Sequence, residues 1–332
     1  MARKDNDFIL EMKNITKIFP GVKANDNVNL SIKRGEIHAL VGENGAGKTT
    51  LMKILYGLYD PDGGKIFFNG EEKKLTEPQD AIDLGVGMVH QHFMLVDTLT
   101  VTENIILGNE PRNGISINRK KARKEVKEIS DKYGLYIDPT ALIKDISVGM
   151  QQRVEIIKTL YRGAELLIFD EPTAVLTPQE IDELFEIFES LKEQGKTIIF
   201  ITHKLDEVKA ISDRITVLRS GKSIDTVMTN DSDVAELMVG RPVLLEVEKE
   251  KADPGKDIFE VKNLKVRDNR DLPAVKGIDL TVKEGEILGI AGVEGNGQSE
   301  FVEAITGIRE IESGQIMFKG KNITEYNARK IK

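Results

Sequence analysis

The chain is 332 residues long, with 40% apolar and 31% charged side chains, a globular composition that excludes disordered, collagenous and membrane-embedded classes and predicts about two domains. Lys and Arg number 47 against 55 Asp and Glu, a formal charge of -8 that argues against a broad polyanion-binding surface, so nucleic acid is not an expected partner. Cys is absent, which excludes disulfides, Cys-ligated zinc and thiol catalysis and suits a reducing compartment.

The opening MARKDNDFIL turns polar before any apolar run forms, so no signal peptide is expected. No window approaches the roughly 18 unbroken apolar residues of a spanning helix, and any membrane connection is expected through a partner. Residues 37–41 form an apolar run, predicted to be a buried strand of a parallel-sheet α/β domain. Gly42-Glu43-Asn44-Gly45-Ala46-Gly47-Lys48-Thr49 follows it and fits G-x-x-x-x-G-K-[ST], and a helix is predicted over residues 48–57. In that context the glycines let backbone N–H groups close around a β-phosphate. Lys48 supplies a point charge and Thr49 a hydroxyl for Mg²⁺, so the segment reads as a nucleoside triphosphate site.

Farther along, residues 118–133 carry Lys and Glu at helical spacing and predict an exposed helix with a solvated charged face. Residues 166–169 predict a second core strand, ending in Asp170 and Glu171. A buried strand tolerates two carboxylates only where its end faces a ligand. Asp170 would then hold the Mg²⁺ shell and Glu171 would polarise the attacking water, the two lying on opposite strand faces. Thr177-Pro178-Gln179-Glu180 opens a long amphipathic helix with a capping box and Pro at its first position, and Gly195 closes it. Residues 197–201 and 215–218 are the remaining core strands, and His203, just past the first of them, could reach the γ-phosphate.

Residues 246–256, EVEKEKADPGK, lack apolar periodicity and read as a solvated linker. Beyond them the chain repeats itself: VNLSIKRGEIHALVGENGAGKTT from Val28 returns as IDLTVKEGEILGIAGVEGNGQSE from Ile278, an offset of 250. EMKNI at Glu11 returns as EVKNL at Glu260, one residue out of step. In the second copy Gln298 stands where Lys48 stands in the first. An amide donates hydrogen bonds but does not neutralise phosphate charge, so asymmetric sites are expected. The expected organisation is a first domain over 1–243, a linker over 244–256, and the start of a second domain over 257–332. That start lacks most of the first copy's chemistry, and its unfinished sheet predicts weak independent stability.

The order of phosphate loop, Gln91, the segment Ile146-Ser147-Val148-Gly149-Met150-Gln151-Gln152-Arg153, the acidic pair and His203 resembles an ABC-type ATPase over essentially the whole chain. The resemblance implies a P-loop NTPase of ABC type: a parallel core sheet with helices, an antiparallel β-subdomain and a helical subdomain. It also implies ATP held with Mg²⁺ by Gly42, Asn44, Gly45, Ala46, Gly47, Lys48, Thr49 and Thr50, with Thr49, Gln91 and Asp170 toward the metal and Glu171, His203 and Gln91 in catalysis. Phe19 matches the aromatic that stacks on adenine, or else belongs to the β-subdomain core. Ser147 and Gly149 would contact the γ-phosphate of a second unit in an ATP sandwich. Thr100-Val101-Thr102-Glu103 would cap the first helix of the helical subdomain.

ISVGM in place of LSGGQ, and Thr177 where the family usually has Asp, are similar to the fused ATP-binding subunits of simple-sugar and nucleoside importers. So is Glu236-Leu237-Met238-Val239-Gly240-Arg241, and residues 90–97 are nearest to the nucleoside-type members. That implies an ATPase peripheral to the cytoplasmic face of the membrane, with permease partners and, through them, a substrate-binding protein. A soluble tandem ABC protein acting on ribosomes or DNA would call for a long basic linker, which residues 246–256 are not. A regulatory module without turnover suits Gln298 but not Lys48, Asp170, Glu171 and His203.

Overall fold

The computed structural model describes residues 7–91, 93–114, 116–229, 234–239, 253–269, 271–292 and 295–331. The chain divides into two units, Met1–Leu244 and Leu245–Lys332. Most of the expected linker, along with Gly240, Arg241, His92, Val293 and Glu294, lies outside the described residues.

The first unit opens with β1 (Phe8–Phe19), β2 (Val22–Lys33) and β3 (Ile37–Val41), followed by α1 (Lys48–Leu55), β4 (Gly63–Phe68), β5 (Glu71–Lys73), α2 (Pro78–Asp83) and β6 (Val86–Val89). α3 (Val101–Ile106), the two-residue strands β7 (Arg112–Asn113) and β8 (Ser116–Ile117), α4 (Arg119–Tyr133) and α5 (Val148–Tyr161) come next. β9 (Leu166–Asp170), α6 (Pro178–Glu193), β10 (Thr197–Thr202), α7 (Leu205–Ile211), β11 (Arg214–Arg219), β12 (Lys222–Met228) and α8 (Val234–Val239) complete it.

Six strands form the core sheet in the order β12-β11-β3-β10-β9-β6, parallel throughout except for the antiparallel edge pair β11 and β12. β3, β9 and β10 are buried at every position, as continuous apolar runs require in a sheet covered on both faces. One face carries the antiparallel sheet β2-β1-β4-β5 and α1, which share a core with Leu40, Ile168, Ile199 and Ile201. The other carries α3 to α6, whose apolar stripes enclose Phe169, Phe188 and Phe200. The P-loop α/β architecture read from the sequence is the one observed.

Local signals account for the boundaries. α1 stops two residues before Gly57, which takes the left-handed conformation at φ 73°. Thr100 and Thr177 each cap a helix through a complete capping box with Glu103 and Glu180, and Gly195 turns left-handed after α6. Thr177 therefore keeps the capping function that an Asp would serve equally well.

One polar row crosses this apolar sheet. His38 Nδ1 lies 2.9 Å from Glu36 Oε1, His38 Nε2 lies 2.8 Å from Thr216 Oγ1, and Thr216 Oγ1 lies 2.8 Å from Thr226 Oγ1, joining β3, β11 and β12. Arg214 closes on Glu36 at 3.1 Å.

The second unit contains β13 (Asp257–Arg267), β14 (Pro273–Lys283), α9 (Gln298–Ile305), β15 (Ser313–Phe318), β16 (Lys321–Asn322) and α10 (Ala328–Ile331), with sheet order β14-β13-β15-β16. This repeats the first unit's antiparallel sheet and first helix. Ile15 pairs with Val28 in the first sheet and Leu264 with Ile278 in the second, so the second hairpin is one residue longer and the out-of-step repeat is explained. Its core is one small cluster built on Val261, Leu264, Val266, Val275 and Phe301.

Candidate functional site

β3, β9 and β10 are parallel neighbours, with Val41 opposite Thr202 and Asp170 opposite Ile201, so the residues following each strand emerge at one end of the sheet. That end collects the phosphate loop, the acidic pair and His203. Gly47 adopts φ 98° as the residue before α1, and a Cβ there would meet Ala24 O at 2.2 Å. A Cβ on Gly42 would meet Leu218 O at the same distance. These two glycines let the loop lie directly on β2 and β11.

Lys48 is buried and folds over its own loop, its Nζ donating to Gly42 O at 2.7 Å and Glu43 O at 3.1 Å. Burial holds its pKa below the ordinary lysine value, against the pull of Glu171 and Asp170. Thr49 Oγ1 donates to Asp170 Oδ1 at 3.3 Å. Asp170 is 6% exposed, and burial, reinforced by the neighbouring Glu171, raises its pKa against the Thr49 hydrogen bond. A buried carboxylate under that penalty, beside a hydroxyl, is a cation seat of hard oxygens. No group of three or more His, Cys, Asp or Glu side chains able to hold a metal occurs among the described residues. The two oxygen donors, the Thr49 hydroxyl and the Asp170 carboxylate, fit Mg²⁺, which readily keeps water and phosphate oxygens as its other ligands.

Glu171 departs from the sequence reading. β9 ends at Asp170, and Glu171 takes φ 47°, a left-handed conformation rare for a residue with a Cβ. Its direction is set by this kink, not by strand alternation. Its N–H donates to Ile201 O at 3.0 Å, and its Oε1 lies 3.2 Å from His203 Nδ1. Strained backbone of this kind clusters at functional sites and persists where its surroundings over-determine it.

Of the other sequence candidates, Asn44, Gly45, Ala46 and Thr50 belong to the loop or the first turn of α1, Ala46 buried and Asn44 and Gly45 exposed. Gln91 is exposed two residues past β6, the neighbour of β9. The segment after it is tied to α5, since Met94 N donates to Glu155 Oε1 at 2.8 Å and Lys158 Nζ donates to Met94 O at 2.9 Å. Phe19 is half-buried, outside the core cluster, with its ring 5.4 Å from Tyr59 edge to face and the Lys17 ammonium 5.6 Å away. Ser147 caps α5, accepting from Met150 N at 3.3 Å, and Gly149 lies against Glu180 of α6. Among the described residues no hydrogen bond joins Ser147 or Gly149 to the phosphate loop.

Two residues at the site escaped sequence reasoning. Asn25 is buried beneath the loop, its Nδ2 donating to Gly47 O at 3.2 Å while its Oδ1 has no partner. The signal was a polar residue at a core position of β2 where the repeat has Val275. Tyr59, partner of Phe19, carried none.

In the second unit Gly297 takes φ 95°, close to its counterpart Gly47, and a Cβ on Gly292 would meet Gln298 Nε2 at 1.8 Å. By the β13–β14 register, Asp268 occupies the place of Phe19.

The family model described as ABC transporter matches residues 25–174 and 275–332. The nucleoside import ATP-binding protein NupA of Lactococcus lactis is 56% identical over 329 residues, covering 98% of this chain and 65% of its own length. The guanosine import ATP-binding protein NupO of Bacillus subtilis is 57% identical over 328 residues, covering 98% of this chain and 64% of its own length. The chain thus spans just under two thirds of these curated relatives. Among solved structures, the ATP-binding cassette MJ1267 in its ADP conformation superposes with a TM-score of 0.62 at 26% identity, over 70% of this chain and 99% of that one. The dimeric cassette MJ0796 gives 0.58 at 26% identity, over 67% of this chain and all of that one.

Proposed function

The chain belongs to the ABC transporter family, and from that premise we propose that it binds and hydrolyses ATP as the energising subunit of an importer for nucleosides or simple sugars. The observation that carries the reading is the convergence of Lys48, Thr49, Asp170, Glu171 and His203 at one end of a single sheet. The importer class and its substrates rest on the names of the relatives, which are nucleoside, guanosine and glucose import proteins.

In this proposal Phe19 stacks on adenine, backed by Tyr59. The N–H groups of the loop and the N-terminus of α1 hold the phosphates, with Lys48 leaving its loop carbonyls for the terminal phosphate oxygens. Thr49 and Asp170 hold Mg²⁺, with Gln91 toward it, and the ion when bound neutralises phosphate charge. Glu171 polarises the attacking water, and His203, held against Glu171, donates toward the γ-phosphate. Ser147 and Gly149, presented at the N-terminus of α5, contact the nucleotide of a second unit, so that ATP closes two units and its hydrolysis reopens them.

No helix among the described residues is long and apolar enough to cross a membrane. The proposed subunit sits at the cytoplasmic face through permease partners, which in turn meet a substrate-binding protein. The Gln91 segment, tied to α5 through Met94, links the ATP site to the helical subdomain. Residues 1–243 form the motor, and 257–332 begin a second copy joined by a linker. Gln298 favours a second reading for that copy alone, a site that binds nucleotide weakly and regulates without turning over.

The test is MgATP turnover and ATP-dependent self-association of the chain beside Glu171→Gln. The variant should retain ATP binding, lose phosphate release by about 10²- to 10⁴-fold, and accumulate as a dimer. Equal turnover in both chains would remove Glu171 from the chemistry, and absence of ATP binding would end the proposal.

A further inference from the structure

Glu207, in the first turn of α7, is 8% exposed and takes no part in the chemistry above. Its Oε2 accepts from Thr173 Oγ1 at 2.8 Å and from Thr202 Oγ1 at 3.1 Å, and its Oε1 accepts from Lys204 Nζ at 2.9 Å. Thr173 lies two residues past Glu171, and Thr202 immediately precedes His203. One carboxylate therefore fastens the loop leaving β9 to the loop leaving β10. The hydroxyls have defined roles: Thr202 Oγ1 accepts from Lys204 N at 3.1 Å, which leaves its proton for Glu207. Lys204 Nζ adds contacts to Thr173 Oγ1 at 3.3 Å and Thr173 O at 3.4 Å. Thr173 and Thr202 are themselves buried, so water does not replace these bonds cheaply.

The clamp matters because Glu171 is strained. Its left-handed backbone is held on one side by its N–H bond to Ile201 O, a residue of β10. Two residues later the chain is held again, through Thr173 and Glu207, to the end of the same strand. We propose that Glu207 is a positioning residue: it fixes the loops of Glu171 and His203 as one rigid piece, so that the two side chains keep their contact. This rests on the roles given to Glu171 and His203 in the proposed function, but its geometry is testable without turnover.

The full chain is compared with Glu207→Gln and Thr173→Val by imidazole ¹H–¹⁵N spectra, thermal melting and ATP turnover. The chain has four histidines, and the His203 signals are identified by their loss in His203→Ala. Thr173 does not touch His203, yet both variants should shift the His203 signals while leaving those of His38 in place. With the folds intact, kcat should fall by about tenfold to a hundredfold at nearly unchanged KM. Should Glu207→Gln fail to fold, Thr173→Val, which removes a single hydroxyl, decides alone. His203 signals that superimpose on the parent's in the folded variants would overturn the inference. Loss of turnover in the parent would count against the proposed function only, since the spectra judge the clamp separately.

Discussion

Residues 37–49 and 287–299 of this chain are counterparts in the repeat, an apolar run leading to the same three loop glycines, yet they end in different states. In the first, residues 37–41 are a fully buried strand that runs into the phosphate loop and α1. In the second, the glycine that enters the helix is reproduced to within a few degrees, φ 98° at Gly47 against 95° at Gly297, and the helix follows it. The preceding segment forms no strand, however, and leaves Ile287 86% exposed and Leu288 and Ile290 exposed as well. The helix and its entry glycine are therefore local products of glycine placement and propensity, while the strand exists only where β10 and β11 flank it. An apolar run is a strand by virtue of its neighbours.

Amide exchange would strain that contrast hardest. Amides of residues 37–41 should exchange about 10³-fold or more slowly than those of 287–291, as buried ladder bonds open only with large parts of the sheet. Comparable rates in the two segments, read by mass spectrometry, would refute it. The loops themselves can be interchanged next. Lys48→Gln should lower ATP affinity by about tenfold to a hundredfold, the worth of charge-assisted hydrogen bonds, in a titration calorimetry or fluorescent-nucleotide assay. In that background Gln298→Lys should raise the affinity of the second loop, whose helix-entry backbone already matches.

A smaller effect concerns His38, which Leu288 replaces in the repeat. Burial lowers the His38 pKa from its ordinary 6.5, against the hydrogen bond and charge of Glu36. The unfolded chain therefore takes up the proton first, and stability present above pH 6.5 is lost as pH falls below it. The first unit should melt a few degrees lower at about pH 5.5 than at about pH 7.5, and a His38→Gln variant should show a shallower fall. Smallest of all, Thr177→Ala should cost about 1 kcal/mol by removing the cap of α6, and Thr177→Asp should cost almost nothing, both read by denaturant unfolding.

What was legible in the sequence follows the same division. The capping boxes at Thr100 and Thr177 and the helix ends at Gly57 and Gly195 are fixed by residues close together in the chain, and they were found where expected. The core strands were legible because a run buried on both faces is apolar throughout. The kink at Glu171 was not, since nothing in its neighbours demands a left-handed residue; it is imposed across the sheet by Ile201. The Glu207 clamp was hidden for a like reason, joining hydroxyls on two loops to an acid on a helix. Tyr59 beside Phe19 meets it only through the fold.

The polar row from His38 through Thr216 to Thr226 has a consequence for assembly of the core sheet. Because the buried positions of β3 and β11 are apolar apart from His38 and Thr216, a register displaced by two residues would still set apolar side chains against one another there. It would also strand an imidazole and two hydroxyls without partners, at about 1–3 kcal/mol for each. The row thus serves as an index mark: it adds little to the depth of the native minimum but raises the wrong alignments above it, so that β3, β11 and the edge strand β12 lock in one setting.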